Sequence, residues 1–78
     1  MNNLLLQQAE KWLNELNIRT IPCNNCLKVH RDDMAILGMD QLPEVAYDFI
    51  LQEIRIAIGS KKFYWGGKDD IWIYLETF

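Results

Sequence analysis

Apolar residues over 42–59, LPEVAYDFILQEIRIAIG, recur at helical spacing and reach around most of the circle. Projected at about 100° per residue, Val45, Ala46, Tyr47, Phe49, Ile50, Leu51, Ile54, Ile56, Ala57 and Ile58 span roughly two thirds of the circumference. Glu44, Asp48, Gln52 and Arg55 take the rest. Pro43 suits a first helical turn, where its missing N–H costs nothing, and Gly59 suits the left-handed residue that ends a helix. A helix this widely apolar predicts cover from several neighbours, or from a second protein chain. Glu53 falls near the middle of the arc; it is expected to reach solvent at an edge, the alternative being a pairing with Arg19, Lys28, His30 or Arg31.

A narrower helical pattern runs over 3–16. Leu5, Ala9, Trp12, Leu13 and Leu16 share one side, Gln7, Glu10, Lys11 and Asn14 the other, with Asn2 or Asn3 as cap and Asn17 as stop. At the C-terminus the period changes to two. Residues 63–65 and 71–77 read as strands joined by a GGKDD loop whose glycines can supply positive φ. In the longer strand Ile71, Ile73, Leu75 and Thr77 point one way, and Trp72, Tyr74, Glu76 and Phe78 the other. Both faces are substantially apolar. Residues 18–22, IRTIP, read as an extended segment or edge strand, because Pro22 cannot donate to a ladder.

Residues 23–38 satisfy two patterns. As a helix from Asn25, capped by Asn24 or Asn25 and ended by Gly38, they gather Cys26, Leu27, Val29, His30, Asp33, Met34, Ile36 and Leu37 on half the circle. As a hairpin, IRTIPC and CLKVHR flank an Asn24-Asn25 turn, and a short helix starts at Asp32 or Asp33. The helix is the preferred reading. The expected fold class is α+β: two or three helices packed on a C-terminal antiparallel β-hairpin, with residues 18–30 as the segment able to extend it to a three- or four-stranded sheet.

Length and charge narrow the classes. Seventy-eight residues predict one small domain that buries only about 60% of the surface its unfolded chain exposes. A formal charge of −3 argues against general binding to nucleic acid or anionic membranes. No apolar run approaches the ~20 residues that cross a bilayer. The start, MNNLLLQQAEKW, lacks the basic opening and cleavage site of a signal peptide, so a cytoplasmic location is expected.

Candidate chemistry is sparse. Cys23, Cys26 and His30 form C-x2-C-x3-H, three soft ligands where zinc wants four, so no cofactor is expected, zinc being the alternative. A thiol pair between an extended segment and a helix N-terminus would have a lowered pKa at Cys23, which leaves a thiol-dependent module as a third reading. There is no Ser-His-Asp constellation and no Gly-rich phosphate loop, so an enzyme is not expected. Lys61, Lys62, Tyr64 and Lys68 interleave base with aromatic rings, a mixture suited to a homodimeric nucleic-acid-binding regulator. Asp69 and Asp70 cancel much of that field.

The strongest signal is aromatic. Of nine aromatic residues six, Phe63, Tyr64, Trp65, Trp72, Tyr74 and Phe78, fall in the last sixteen positions, and Trp and Tyr dominate interface energetics. So many rings in so short a chain imply a docking face for another protein or for a second copy, with Trp65, Trp72, Tyr74 and Phe78 as contacts and Asp69 and Asp70 at the rim. The expectation is a small stand-alone inhibitor or adaptor, a type usual among phage and mobile-element inhibitors of host machinery. The run from 50 to 75, a helix leading to Gly66-Gly67 and then IWIYL, is similar to the dimerisation region of Mor-type phage activators. No helix-turn-helix follows it, so it carries no assignment.

Overall fold

The computed structural model describes residues 3–35 and 43–78. Among them the order is α1 (Leu4–Glu15), β1 (Thr20–Pro22), β2 (Leu27–His30), α2 (Arg31–Ala35), α3 (Pro43–Ile58), β3 (Phe63–Lys68) and β4 (Trp72–Thr77). The strands form one antiparallel sheet in the order β1-β2-β4-β3. The fold is α+β, with the C-terminal hairpin extended to four strands by residues 20–30.

Helix α1 is bounded by its own asparagines. The Asn3 side chain accepts from the N–H groups of Leu5 and Leu6, at 3.0 and 3.3 Å, so it and not Asn2 is the described cap. Asn17 sits at φ 64°; its N–H donates to Asn14 O, and that of Ile18 donates to Leu13 O. Those two bonds are a Schellman cap, and they turn Ile18 back onto Leu13, both fully buried. Helix α3 ends the same way, with Gly59 at φ 79° and Ser60 N–H donating to Arg55 O.

One face of the sheet makes the core. Leu27, Val29, Phe63, Ile73 and Leu75 point at α1 and α3 and meet Leu6, Ala9, Leu13, Ile50, Leu51 and Ile54, with Ile18 and Met34 closing the ends. Two polar links fix the layers: the Trp65 indole N–H donates to Tyr47 O at 2.9 Å, and the Arg55 guanidinium donates twice to Phe63 O, at 3.1 and 2.7 Å. Arg55 therefore does not face away into water as its periodicity predicts.

Three expectations change. The helix preferred over 23–38 is not formed: 20–30 are a hairpin around Asn24-Asn25, and the helix begins at Arg31. The reason is non-local, since β2 pairs along its whole length with β4 from the far end of the chain. Gly38, Ile36 and Leu37, assigned to the end of that helix, lie outside the described residues. Second, the buried stripe of α3 runs along Ile50, Leu51 and Ile54, flanked by Tyr47 and Ile58. Phe49 and Ile56 are 47% and 75% exposed, and Glu53 is half-buried at the edge, as expected of it. Third, GGKDD is not the hairpin loop. Gly66, Gly67 and Lys68 belong to β3, with a bulge between Trp65 and Gly67, and the chain turns through Asp70 and Ile71.

Candidate functional site

Strand alternation sends every second residue to the face away from the helices. From β4 these are Trp72, Tyr74 and Glu76; from β2, Lys28 and His30, opposite Tyr74 and Trp72; from β1, Ile21; from β3, Tyr64 and Gly67. Phe78 continues the series just past β4. The result is a sheet face lined with rings on the side away from α1 and α3, with His30 alone among them buried, beside Asp33 of α2.

The rings are held in pairs. Tyr64 stacks on Phe78 with centroids 4.6 Å apart and planes 29° off parallel, although Phe78 is itself 84% exposed. His30 meets Trp72 edge to face at 5.2 Å and 81°. The Lys28 ammonium lies 5.8 Å from the centroid of Tyr74, in cation–π range. Both tyrosine hydroxyls are tethered: Tyr64 donates to Glu76 at 3.1 Å, and Tyr74 donates to Asp69. The Asp69 hydrogen bond, aided by burial, pushes the Tyr74 hydroxyl up to about 12, and Glu76 pushes Tyr64 upward as well. Both stay protonated and keep donating. Each hydroxyl is thus held by a carboxylate near the same face.

One glycine allows this arrangement. A Cβ on Gly66 would run into the Glu76 carboxylate, whereas one on Gly67 would make only an ordinary contact with the Tyr74 ring, at 3.5 Å. Bare backbone at Gly66 lets the Glu76 side chain lie across β3.

The residues expected at a docking face are therefore partly regrouped. Trp72, Tyr74 and Phe78 share the open face, with Trp72 and Tyr74 half-buried rather than enclosed, and Asp69 and Asp70 are exposed at the β3–β4 turn beside them. Trp65 does not belong there, because it lies two residues from Phe63 and opposite Leu75, so its ring packs on the core side. Tyr64, read from the sequence as a nucleobase platform, belongs to the ring cluster. Lys28 and His30, the latter a candidate metal ligand in the sequence, join this face because 27–30 is a strand; strand parity across an Asn-Asn hairpin is the signal that places them there.

The other candidate sets come apart. Lys61 and Lys62 precede β3 and Lys68 ends it, so Lys62 and Lys68 stand about 20 Å apart along the strand. Cys23 and Cys26 face each other at the tip of the β1–β2 hairpin, while His30 lies four extended residues beyond, about 13 Å away. Among the described residues no three His, Cys, Asp or Glu side chains are placed to hold a metal ion. Cys23 leads into the hairpin turn and not into a helix. His30 is instead 8% exposed, with Nδ1 3.7 Å from Asp33 Oδ1. Asp33 accepts from the Arg19 guanidinium at 2.8 and 3.0 Å and from the Arg19 N–H at 2.9 Å, which holds its carboxyl down at about 2.

No described helix is long and apolar enough to cross a membrane. No family model matches the chain, and no curated protein or solved structure matches it.

Proposed function

We propose that the chain is a cytoplasmic protein-interaction module that docks on a larger protein through the open face of its sheet, as an inhibitor or adaptor. One observation carries this reading: Tyr64, Trp72, Tyr74 and Phe78 lie on one face, on the side away from α1 and α3, and are held there by ring contacts and by carboxylate tethers. Aromatic residues held rigid lose little entropy when they are buried in an interface, which is why such residues become hot spots. Glu76 and Asp69 are engaged by the tyrosine hydroxyls, and Lys28 stands beside Tyr74 on the inner strands, so charged groups sit among the rings and Asp70 lies at the β3–β4 end. The matching partner presents apolar groups interspersed with polar ones. Short chains of this kind are usual among phage and mobile-element inhibitors of host machinery, an argument from association alone.

The homodimeric nucleic-acid regulator has less support, since Lys62 and Lys68 sit at opposite ends of a strand and do not form one basic patch.

The test uses immobilised wild-type chain and the Trp72→Ala and Tyr74→Ala variants, each with unchanged circular dichroism, against host lysate. A partner held by wild type, lost by both variants, and retained between about 50 and 200 mM salt supports the reading. Equal capture by all three chains overturns it. Capture of nucleic acid that falls by powers of ten over the same salt range moves the assignment to the regulator.

A further inference from the structure

Cys23 and Cys26 are not used by the docking face, and their geometry has a chemistry of its own. They flank the two-residue Asn24-Asn25 turn as a cross-strand pair, one position beyond Pro22 and Leu27 in the register, with Cys23 N–H donating to Cys26 O at 2.9 Å. Hydrogen-bonded antiparallel partners have Cα atoms about 5.5 Å apart, within the range of about 4.4–6.8 Å that a disulfide spans. The two thiols interact directly, and both are free. A cleft of about 100 Å³ between the first turns of α1 and the hairpin tip is lined by both sulfur-bearing residues, with Asn3, Gln7 and Glu10 opposite.

We propose that Cys23 and Cys26 are a modification site: a dithiol that closes reversibly to a cross-strand disulfide by exchange with a small-molecule disulfide of the glutathione type.

The roles of the two sulfurs are unequal. Cys23 is exposed, and its thiol reaches only the Ile21 carbonyl, at 3.9 Å. Cys26 is half-buried; burial and then the neighbouring Cys23 sulfur push its thiol up to about 11, with Glu76 adding to the rise and Lys28 opposing it. Cys23 is therefore the entry point. Its thiolate attacks one sulfur of the oxidised glutathione, forming a mixed disulfide and releasing one glutathione thiolate. Cys26 then loses its proton and attacks the Cys23 sulfur, forming the intramolecular bond and releasing the second glutathione. One S–S bond breaks and one forms; the two protein thiols are oxidised, and two molecules of glutathione thiol carry away the two electrons and two protons.

The ring that closes is short. Stabilisation by a cross-link grows with the loop it closes, so this one gains least from the unfolded state. A bridge of that kind is a poor permanent staple and a good labile one, because little conformational free energy opposes its reduction.

The test is an oxidised-to-reduced glutathione titration of the whole chain, read by intact mass after acid quench and alkylation. Wild type is expected to lose two hydrogens and block both alkylation sites, with the change reversed by dithiothreitol. Cys26→Ser is expected to stop at a glutathione adduct on Cys23, and Cys23→Ser to react roughly tenfold more slowly than Cys26→Ser. Circular dichroism confirms that both variants fold, which the exposed turn position favours. The proposal is overturned if wild type accumulates the mixed disulfide or a disulfide-linked dimer in place of the internal bridge, or if Cys26→Ser forms the adduct while wild type stays fully reduced. Neither result bears on the docking face, whose test reads different residues.

Discussion

At the scale of single residues, the most heavily worked contact is Asp33. Both of its oxygens accept from the Arg19 side chain, and one also accepts the Arg19 N–H, so a carboxylate on α2 secures the segment entering β1. Its folded-state value of about 2 lies below the ordinary 3.8. A depressed carboxyl contributes stability that is fully present above its unfolded value and is lost as the pH falls through the folded one. Asp33→Asn is thus expected to lower the urea midpoint at pH 7, and the gap between variant and wild type is expected to close between about pH 4 and pH 2. A gap that stays constant over that range would place the effect in packing. Asn17 makes a second residue-scale case. At φ 64° most residues with a Cβ are strained; glycine is free of that strain, and Asn tolerates it better than most. Asn17→Gly is expected to leave stability within a few tenths of a kcal/mol, and Asn17→Ala to cost about 1 kcal/mol in urea unfolding.

At the scale of elements, Asn3 joins the two ends of the chain. Its oxygen caps α1 while its amide donates to Thr77 Oγ1 at 2.6 Å, across 74 positions of sequence. Asn3→Ala is expected to cost about 1 kcal/mol for the cap alone and more in total. In a double-mutant cycle with Thr77→Val the two losses should fall short of additive, since both remove one shared bond; full additivity would mean that the link contributes nothing. The cap was legible in the sequence, and so were α3, the C-terminal hairpin and the edge position of Pro22, because each is announced by residues within a few positions of it. Pro43 and Gly59 bound α3 by their own backbone preferences. The stretch LKVHRDDMA was not legible in that way. Leu27 and Val29 satisfy a strand and a helix equally, and what decides between them is the ladder to residues 72–75, which local periodicity does not contain. Trp65 joins the outer rings only when aromatic residues are grouped without strand parity: it lies two residues from Phe63 and opposite Leu75, and so faces the core. The apolar arc of α3 was legible in extent but not in direction. Phe49 and Ile56 point outward, so counting apolar positions overstated how much of the helix its neighbours cover.

At the scale of the whole molecule, the docking function proposed above assigns stability to one face of the sheet and recognition to the other. Ile73 and Trp72 are neighbours on β4, yet alternation gives them opposite surroundings: Ile73 is enclosed by the core, and Trp72 lies half-buried against His30 on the open side. Truncating a fully enclosed aliphatic residue loses its transfer free energy and leaves a cavity, so Ile73→Ala is expected to cost between about 2 and 5 kcal/mol, a large part of what a chain of this size has in hand. Trp72→Ala removes more atoms but opens no cavity, because solvent takes their place. Its expected cost in urea unfolding is less than half that of Ile73→Ala, confined to the edge contact with His30 and the area that the indole shields. In binding the order should invert: Trp72→Ala abolishes capture of the partner, while Ile73→Ala, assayed where it is still folded, keeps it. The inversion is the discriminating result, since a face that served only to complete the fold would lose stability and binding in the same order. If Trp72→Ala instead unfolds the chain as severely as Ile73→Ala, the outer rings are a second core, and the aromatic surplus is structural.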